Sequence, residues 1–264
     1  MSDTVLISEM TWTDYAERVK HSRTPVLLPV GALEQHGPHL PMNCDTVIPL
    51  AICERVAQRI GALVAPPLEY GYKSQPKSGG GNHFPGTTSL DSETLVDMTR
   101  DVIREFARHG IRKLAIVVGH TENLMFTTEA CDLALRDLRA AGITDMKLMH
   151  MGYWEFSTEE TLKKVFPDGF PSWNLEHAGV METSVMLYLQ PELVHFDQVP
   201  QHPPADFPPY DVFPVEPHRI PASGALSSGK TASAEKGKYM LDEYVEAISA
   251  ALTHEFQLPP GGGR

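Results

Sequence analysis

Two short carboxylate–imidazole pairs stand out in this chain, Glu34-Gln35-His36 and His120-Thr121-Glu122, with Asp45 close behind the first. Each follows an apolar run that reads as a buried strand, Val26 to Val30 before one and Leu114 to Val118 before the other. In extended backbone, residues i and i+2 point to the same side, so both pairs can aim into one space. Oxygen and nitrogen donors without a thiolate suit one or two divalent ions such as Zn²⁺ or Mn²⁺. A single Glu or His near a strand end is ordinarily a surface group. Two such pairs with a nearby Asp make a metallohydrolase the better reading, although Asp45 also reads as the N-cap of a helix.

A second stretch, Glu176-His177-Ala-Gly-Val-Met-Glu182, carries further chemistry. Glu176 suits the positive end of a helix dipole, and His177 suits a proton shuttle because imidazole titrates near neutrality. Residues five apart lie about 140° apart around an ideal helix. His177 and Glu182 therefore share a site more easily if the helix begins after His177. Trp154 and Trp173 can wall a flat substrate, with core packing as the ordinary alternative. His39 is not required by a five-ligand site, and Cys44 reads as a small buried thiol. The glycine-rich segment Gly79 to Gly86 lacks the Gly-Lys-Ser/Thr ending of a phosphate loop; it reads as a flexible loop or lid, with His83 structural.

These residues need a frame. Apolar runs at residues 25–31, 62–67, 114–118 and 146–151 alternate with helical patterns at 45–60, 91–109 and 122–141, punctuated by Gly61, Gly110 and Gly142. Pro49 is expected in the first turn of its helix, where a missing N–H costs least. Alternation of this kind predicts an α/β fold with a mainly parallel sheet covered by helices on both faces. Ligands in such folds sit beyond the carboxyl ends of the strands, where Glu34, His36, His120, Glu122 and Trp154 all fall. Residues 200–221 hold eight of the 22 prolines and read as an extended excursion before one last helix at 232–256. One domain over residues 1–264 is expected.

Composition narrows the partners. The chain has 264 residues and 22 basic against 34 acidic side chains, a formal net charge of −12. No basic cluster of the kind that tracks phosphates is present, so neither nucleic acid nor an anionic membrane is an expected partner; a small-molecule substrate is. Three scattered cysteines without a Cys-x-x-Cys pattern fit a reducing, cytoplasmic setting. The first residues carry no signal-peptide pattern, and no apolar stretch is long enough to span a bilayer.

Leu28-Pro-Val-Gly-Ala-Leu-Glu-Gln-His-Gly-Pro-His-Leu-Pro41, Asp45, Gly119-His-Thr-Glu-Asn123, the Tyr70 to Leu90 loop, Tyr153-Trp154 and Glu176 to Ser184 together resemble the creatininase (creatinine amidohydrolase) family. The likeness runs up to about Phe256. It implies a three-layer α/β sandwich, a homohexamer, and two divalent ions per subunit, Zn or Mn, bridged by Asp45. Glu34 and His120 would complete one ion's ligands, His36 and Glu122 the other's. Ser78, Trp154, Trp173 and His177 would line the substrate pocket, with Trp173 on a mobile flap; Glu176, Glu182 and Thr121 are further expected substrate contacts. Thr121 departs from the aromatic residue of close family members, which leaves room for a different substrate.

The expected reaction is opening of the cyclic amide of creatinine to creatine by a metal-bridging hydroxide, water's pKa being lowered from about 15.7 towards about 7. Either His177 or Glu122 would deliver a proton to the departing nitrogen. Alternatives are a hydrolase of the same family acting on another lactam, a formamide or a small peptide, and a mononuclear Fe(II) oxygenase with a two-His, one-carboxylate triad. A binding protein with a structural metal is a further one, disfavoured because structural zinc sites are usually rich in cysteine.

Overall fold

The uninterrupted apolar run Val26–Val30 forms a fully buried strand, β1, and strands β2 (Leu63–Val64), β3 (Lys113–Val118) and β4 (Lys147–Gly152) lie beside it in the order β2-β1-β3-β4. All pairings are parallel, with Val30 opposite Val118 and Val118 opposite Gly152. These coordinates are a computed structural model, which describes residues 4–20, 24–75 and 81–259. Among the described residues the helices are α1 (Trp12–Val19), α2 (Cys44–Ile60), α3 (Ser92–Arg108), α4 (Asn123–Ala140), α5 (Glu159–Val165), α6 (Val180–Leu189) and α7 (Ala234–Glu255).

Crossovers between parallel strands are right-handed, so the direction in which the chain moves decides which face a helix covers. The step from β1 to β2 runs one way and puts α2 on one face, where it packs with α6 and α7 through Ile48, Ile52, Val185, Leu241 and Ile248. The steps from β2 to β3 and β4 run the other way. They put α3 and α4 on the opposite face, around Ile103, Ala107, Ala134 and Leu138. Two apolar cores on either side of one sheet make the three-layer α/β sandwich expected from the sequence. The reversal lies between β1 and β3, the position where open α/β sheets bind ligands.

Proline in a central strand calls for explanation. Odd-numbered residues of β1 bond towards β2: the Leu63 N–H donates to Pro25 O and the Ala65 N–H to Leu27 O. Pro29 falls on that side beyond the end of β2 at Val64, where Pro29 O accepts the Leu68 N–H and the Gly31 N–H donates to Leu68 O. Pro49 lies deeper than expected, as the sixth residue of α2. It removes the N–H that would bond the Asp45 carbonyl, and Gly119 packs against that freed oxygen. A Cβ at Gly119 would collide with Asp45 O and with Pro49 Cγ, and one at Gly31 with Thr46 Oγ1 and the Asp45 carbonyl. The two glycines that end β1 and β3 thus let the start of α2 sit directly on the strand exits.

Candidate metal centre

That close approach brings Asp45 to the residues that leave β1 and β3. Asp45 is the second residue of α2, not its N-cap; the cap is Asn43. Its side chain is 3 % exposed and points at two imidazoles. His36 Nε2 lies 3.1 Å from Asp45 Oδ1, and His120 Nδ1 lies 3.1 Å from Asp45 Oδ2. Glu34 Oε2 is 3.1 Å from His120 Nδ1, and Glu182 Oε1 is 3.6 Å from His36 Nε2. Two candidate ligand sets therefore meet at one carboxylate: Glu34, Asp45 and His120 form one close group, and His36, 3.1 Å from Asp45, forms another with Glu182.

Each imidazole is oriented by its other nitrogen. His36 Nδ1–H donates to Glu34 O at 3.1 Å, and His120 Nε2–H donates to Tyr72 O at 3.1 Å. The lone pairs of His36 Nε2 and His120 Nδ1 then face carboxylates, the arrangement found where histidine ligates a metal. Glu34 Oε1, His36 Nε2 and Asp45 Oδ2 are buried polar atoms with no hydrogen-bond partner. Ligand atoms about 2.0–2.1 Å from one tetrahedral ion lie roughly 3.3–3.4 Å apart, and the distances of 3.1–3.6 Å bracket that value. Donor types, orphaned atoms and spacing all fit two divalent ions.

Electrostatics agree. Burial works against charge on His36 and His120, yet Asp45 beside the first and Glu122 and Glu34 beside the second hold both well above the usual imidazole range. Asp45, despite burial, is pulled below the usual carboxylate range by those imidazoles. Glu34 is pushed up to about 7, by burial first, with His120 opposing. Such a cluster demands positive charge, which two cations satisfy.

The structure separates Glu122 from this double set. Residues 119–122 are not extended; they turn into α4, and Glu122 has helical angles, φ −66° and ψ −19°. The i, i+2 rule fails there, and the carboxylate swings to the outer edge of His120, 3.4 Å from Nε2, where Oε1 accepts the Gln75 N–H at 2.7 Å. No group of three close ligand atoms among the described residues includes Glu122, whereas Glu182 belongs to the group around His36. Glu182, expected as a substrate contact, thus lies closer to His36 than the expected partner Glu122, which lies against His120. The set does not resemble a lone two-His, one-carboxylate triad.

An open cavity of about 710 Å³ lies over the cluster. Thr121, Glu122, Trp154, Trp173, Glu176 and His177 line it together with the ligands Glu34, Asp45, His120 and Glu182. Trp173, 42 % exposed, stands at its mouth in a one-turn 3-10 helix, edge-on to Phe170 at 4.8 Å. Helix α6 begins at Val180, after His177, as a shared site requires. Glu176 accepts the Met181 N–H at 2.8 Å and so caps α6 while facing the cavity; burial pushes its carboxyl up to about 8. Ser78 lies outside the described residues. His39 bonds Thr183 Oγ1 at 3.0 Å and His83 stacks on Phe84, both structural. Cys44 reaches the His36–Glu182 group, but burial pushes its thiol well up, so it stays protonated.

Gln35 was not singled out from the sequence. As the middle residue of its triplet it should point away from the ligands, and it does, onto His177. Its Nε2 lies 3.0 Å from His177 Nε2. His177 Nδ1 in turn is 3.9 Å from Glu34 Oε2, and its ring lies 4.4 Å from that of His36. Burial first, then the neighbouring His36, holds His177 well below the usual imidazole range.

Comparison with known proteins places these features. A model of the creatininase family, described as creatinine amidohydrolase, matches residues 8–252. The chain is 56 % identical over 261 residues to creatinine amidohydrolase of Pseudomonas putida, covering 98 % of this chain and 100 % of the relative. It is 32 % identical to a mycofactocin precursor peptide peptidase of Mycobacterium ulcerans, covering 89 % and 87 %. Two solved structures, a manganese creatininase (TM-score 0.95) and a mutant creatininase of Zn–Zn type (0.96), are each 56 % identical, covering 98 % of this chain and 100 % of theirs. A mutant creatininase complexed with creatine superposes at 0.94 and 55 % identity with the same coverage.

Proposed function

Since the chain belongs to the creatininase (creatinine amidohydrolase) family, we propose that it hydrolyses the cyclic amide of creatinine to creatine, with two divalent ions per subunit, Zn²⁺ or Mn²⁺. The observation that carries this reading is the meeting of two ligand sets on the buried Asp45 carboxylate beneath an open cavity. Glu34, Asp45 and His120 would hold one ion, and His36, Asp45 and Glu182 the other. When bound, the ions supply Lewis acidity, which lowers the pKa of water from about 15.7 towards about 7 and polarises a carbonyl.

The chain's own side chains supply the rest. Trp154 and Trp173 flank a flat ring over the cluster, and Ser78 is a further proposed contact on the family resemblance. Glu176 fixes the wall by capping α6. Ring opening requires a proton at the departing nitrogen, and His177 and Glu122 are the two groups on the cavity wall suited to that duty. Glu122 also accepts the Gln75 N–H while His120 donates to Tyr72 O, so the segment at residues 72–75 is held against the cavity wall. The reading extends to a single metallohydrolase domain over residues 1–264, a cytoplasmic location supported by three free thiols, and the homohexamer that the family resemblance implies.

A second reading, hydrolysis of another lactam, formamide or small peptide, is favoured by Thr121, a small exposed side chain on the cavity wall. It is also favoured by the peptidase relatives. The two readings are separated by incubating metal-loaded protein with creatinine, simpler five-membered lactams, formamides and short peptides. Preferential formation of creatine supports the first; turnover confined to the other amides supports the second.

A further inference from the structure

Strand β4 ends on Gly152, and the chain beyond it carries Trp154 onto the cavity wall. Val30 pairs with Val118 and Val118 with Gly152 across the sheet, so Trp154 and His120 each lie two residues beyond a matched row. Gly152 has φ −82° and ψ 131°, extended backbone that any residue adopts. Its lack of a side chain therefore answers to space and not to conformation. A Cβ there would meet Trp154 Cζ2, Cε2 and Cη2 at 2.6, 2.7 and 2.9 Å. The indole lies in the place a side chain would take. The backbone around that contact is tied down. Glu155 Oε2 accepts the Gly152 N–H at 2.9 Å, and Trp154 O accepts the Ser157 N–H at 3.0 Å. Tyr153, between Gly152 and Trp154, is buried, with its ring edge-on to Trp154 at 5.3 Å and to Tyr244 of α7 at 5.5 Å.

We propose that Gly152 is a positioning residue that sets the width of the substrate cavity: by leaving its Cβ space to the Trp154 indole, it holds that ring back against the end of β4 and keeps room over the ligand cluster for a flat cyclic amide. The proposal rests on the amidohydrolase reading and extends it from the wall to the residue that seats the wall. A methyl at position 152 must displace something, because a Cβ does not tolerate neighbours at 2.6–2.9 Å. The sheet pairing, the bonds from Gly152 and Ser157, and buried Tyr153 hold the backbone, whereas the indole turns about its own side-chain torsions. Residues of both apolar cores pack against Trp154, and its open side is the cavity. The displaced ring therefore moves toward the substrate. In Trp154→Phe the carbons equivalent to Cζ2 and Cη2 are gone, so the same methyl meets less and the smaller ring can stay in place.

A double-mutant cycle on the Zn²⁺-loaded enzyme tests this, because the effect of one residue acting through another shrinks when the second is changed. Gly152→Ala should keep its metal content and raise KM for creatinine about tenfold, the cost of about one methyl group in a fitted pocket, with a smaller change in kcat. In the Trp154→Phe background the same substitution should change KM by less than about twofold. An equal rise in both backgrounds, or no rise in either, overturns the proposal. A crystal structure of Zn²⁺-loaded Gly152→Ala supplies an arm that needs no substrate. The indole displaced into the cavity is the expected result; an indole left in place over a shifted strand end overturns the proposal. If Gly152→Ala does not fold, the double variant Gly152→Ala/Trp154→Phe decides. A folded double variant locates the conflict at the indole, as proposed, and an unfolded one shows that Gly152 serves the fold alone and overturns it. If wild-type enzyme makes no creatine from creatinine, the functional reading fails, and the position of the indole still decides the role of Gly152.

Discussion

Replacing Glu182 with Gln is the sharpest probe of the site, because sequence spacing points to Glu122 for the place beside His36 that we propose for Glu182. Gln keeps the shape of the side chain and an oxygen able to accept the Ala178 N–H, which Glu182 Oε2 now accepts at 2.6 Å. The loss is therefore confined to the anionic oxygen 3.6 Å from His36 Nε2. Zinc binding at structural sites is worth about 10–16 kcal/mol over four ligands, so one ligand accounts for roughly 3 kcal/mol, or about a hundredfold in affinity. Chelated protein dialysed against buffered free Zn²⁺ and analysed by plasma mass spectrometry should bind two ions per chain. Glu182→Gln should retain one ion at the concentration that fills both sites of wild type, and the second should return only at about a hundredfold higher free Zn²⁺. Glu122→Gln should keep both ions and lose turnover instead. Two tight ions in Glu182→Gln together with one in Glu122→Gln would refute the reasoning.

Three further outcomes follow from the same geometry. Asp45→Ala removes the carboxylate common to both sets and should abolish binding of both ions and all activity; a metal-loaded, active Asp45→Ala protein would contradict the shared bridge. Gly119→Ala places a methyl against the Asp45 carbonyl and Pro49 and should cost about 1–3 kcal/mol of stability in denaturant melts, with weakened metal binding. Metal affinity should fall as pH is lowered: neighbouring carboxylates hold His36 and His120 above the usual imidazole range, so protons compete for the ligand nitrogens. Where both are protonated in the metal-free protein, log affinity should change by about two per pH unit. Calorimetry in buffers of different ionisation enthalpy reads the released protons; absence of proton release at pH 6 would refute it.

Much of this was legible in the chain because it rests on short-range patterns. Val26–Val30 and Leu114–Val118 are short apolar runs of the kind buried parallel strands show, and Gly61, Gly110 and Gly142 end their helices or turns at positive φ. The convergence of Glu34 and His36 with His120 after β3 followed from strand exits alone. What escaped depended on long-range placement. Glu122 lies at the outer edge of His120 because the chain stops being extended at Gly119, one residue before the triplet begins, and nothing in His-Thr-Glu announces that turn. Glu182 reaches His36 only because α6 packs against α2, a contact between residues far apart in sequence. Gln35 looked like a spacer between ligands, yet alternation itself assigns it to the opposite side, and only the position of His177 reveals what waits there. Asp91 occupies the N-cap of α3 yet its side chain makes no capping bond and pairs with Lys73 instead.

The central claim is that two ions meeting at Asp45 open creatinine. Creatine formation should therefore be followed while chelated protein is titrated with Zn²⁺ or Mn²⁺ and bound metal is counted in the same samples. The account predicts no creatine from metal-free protein and full activity only as the second equivalent per chain binds. Creatine formation by protein stripped of metal, or none with two ions bound, would contradict it.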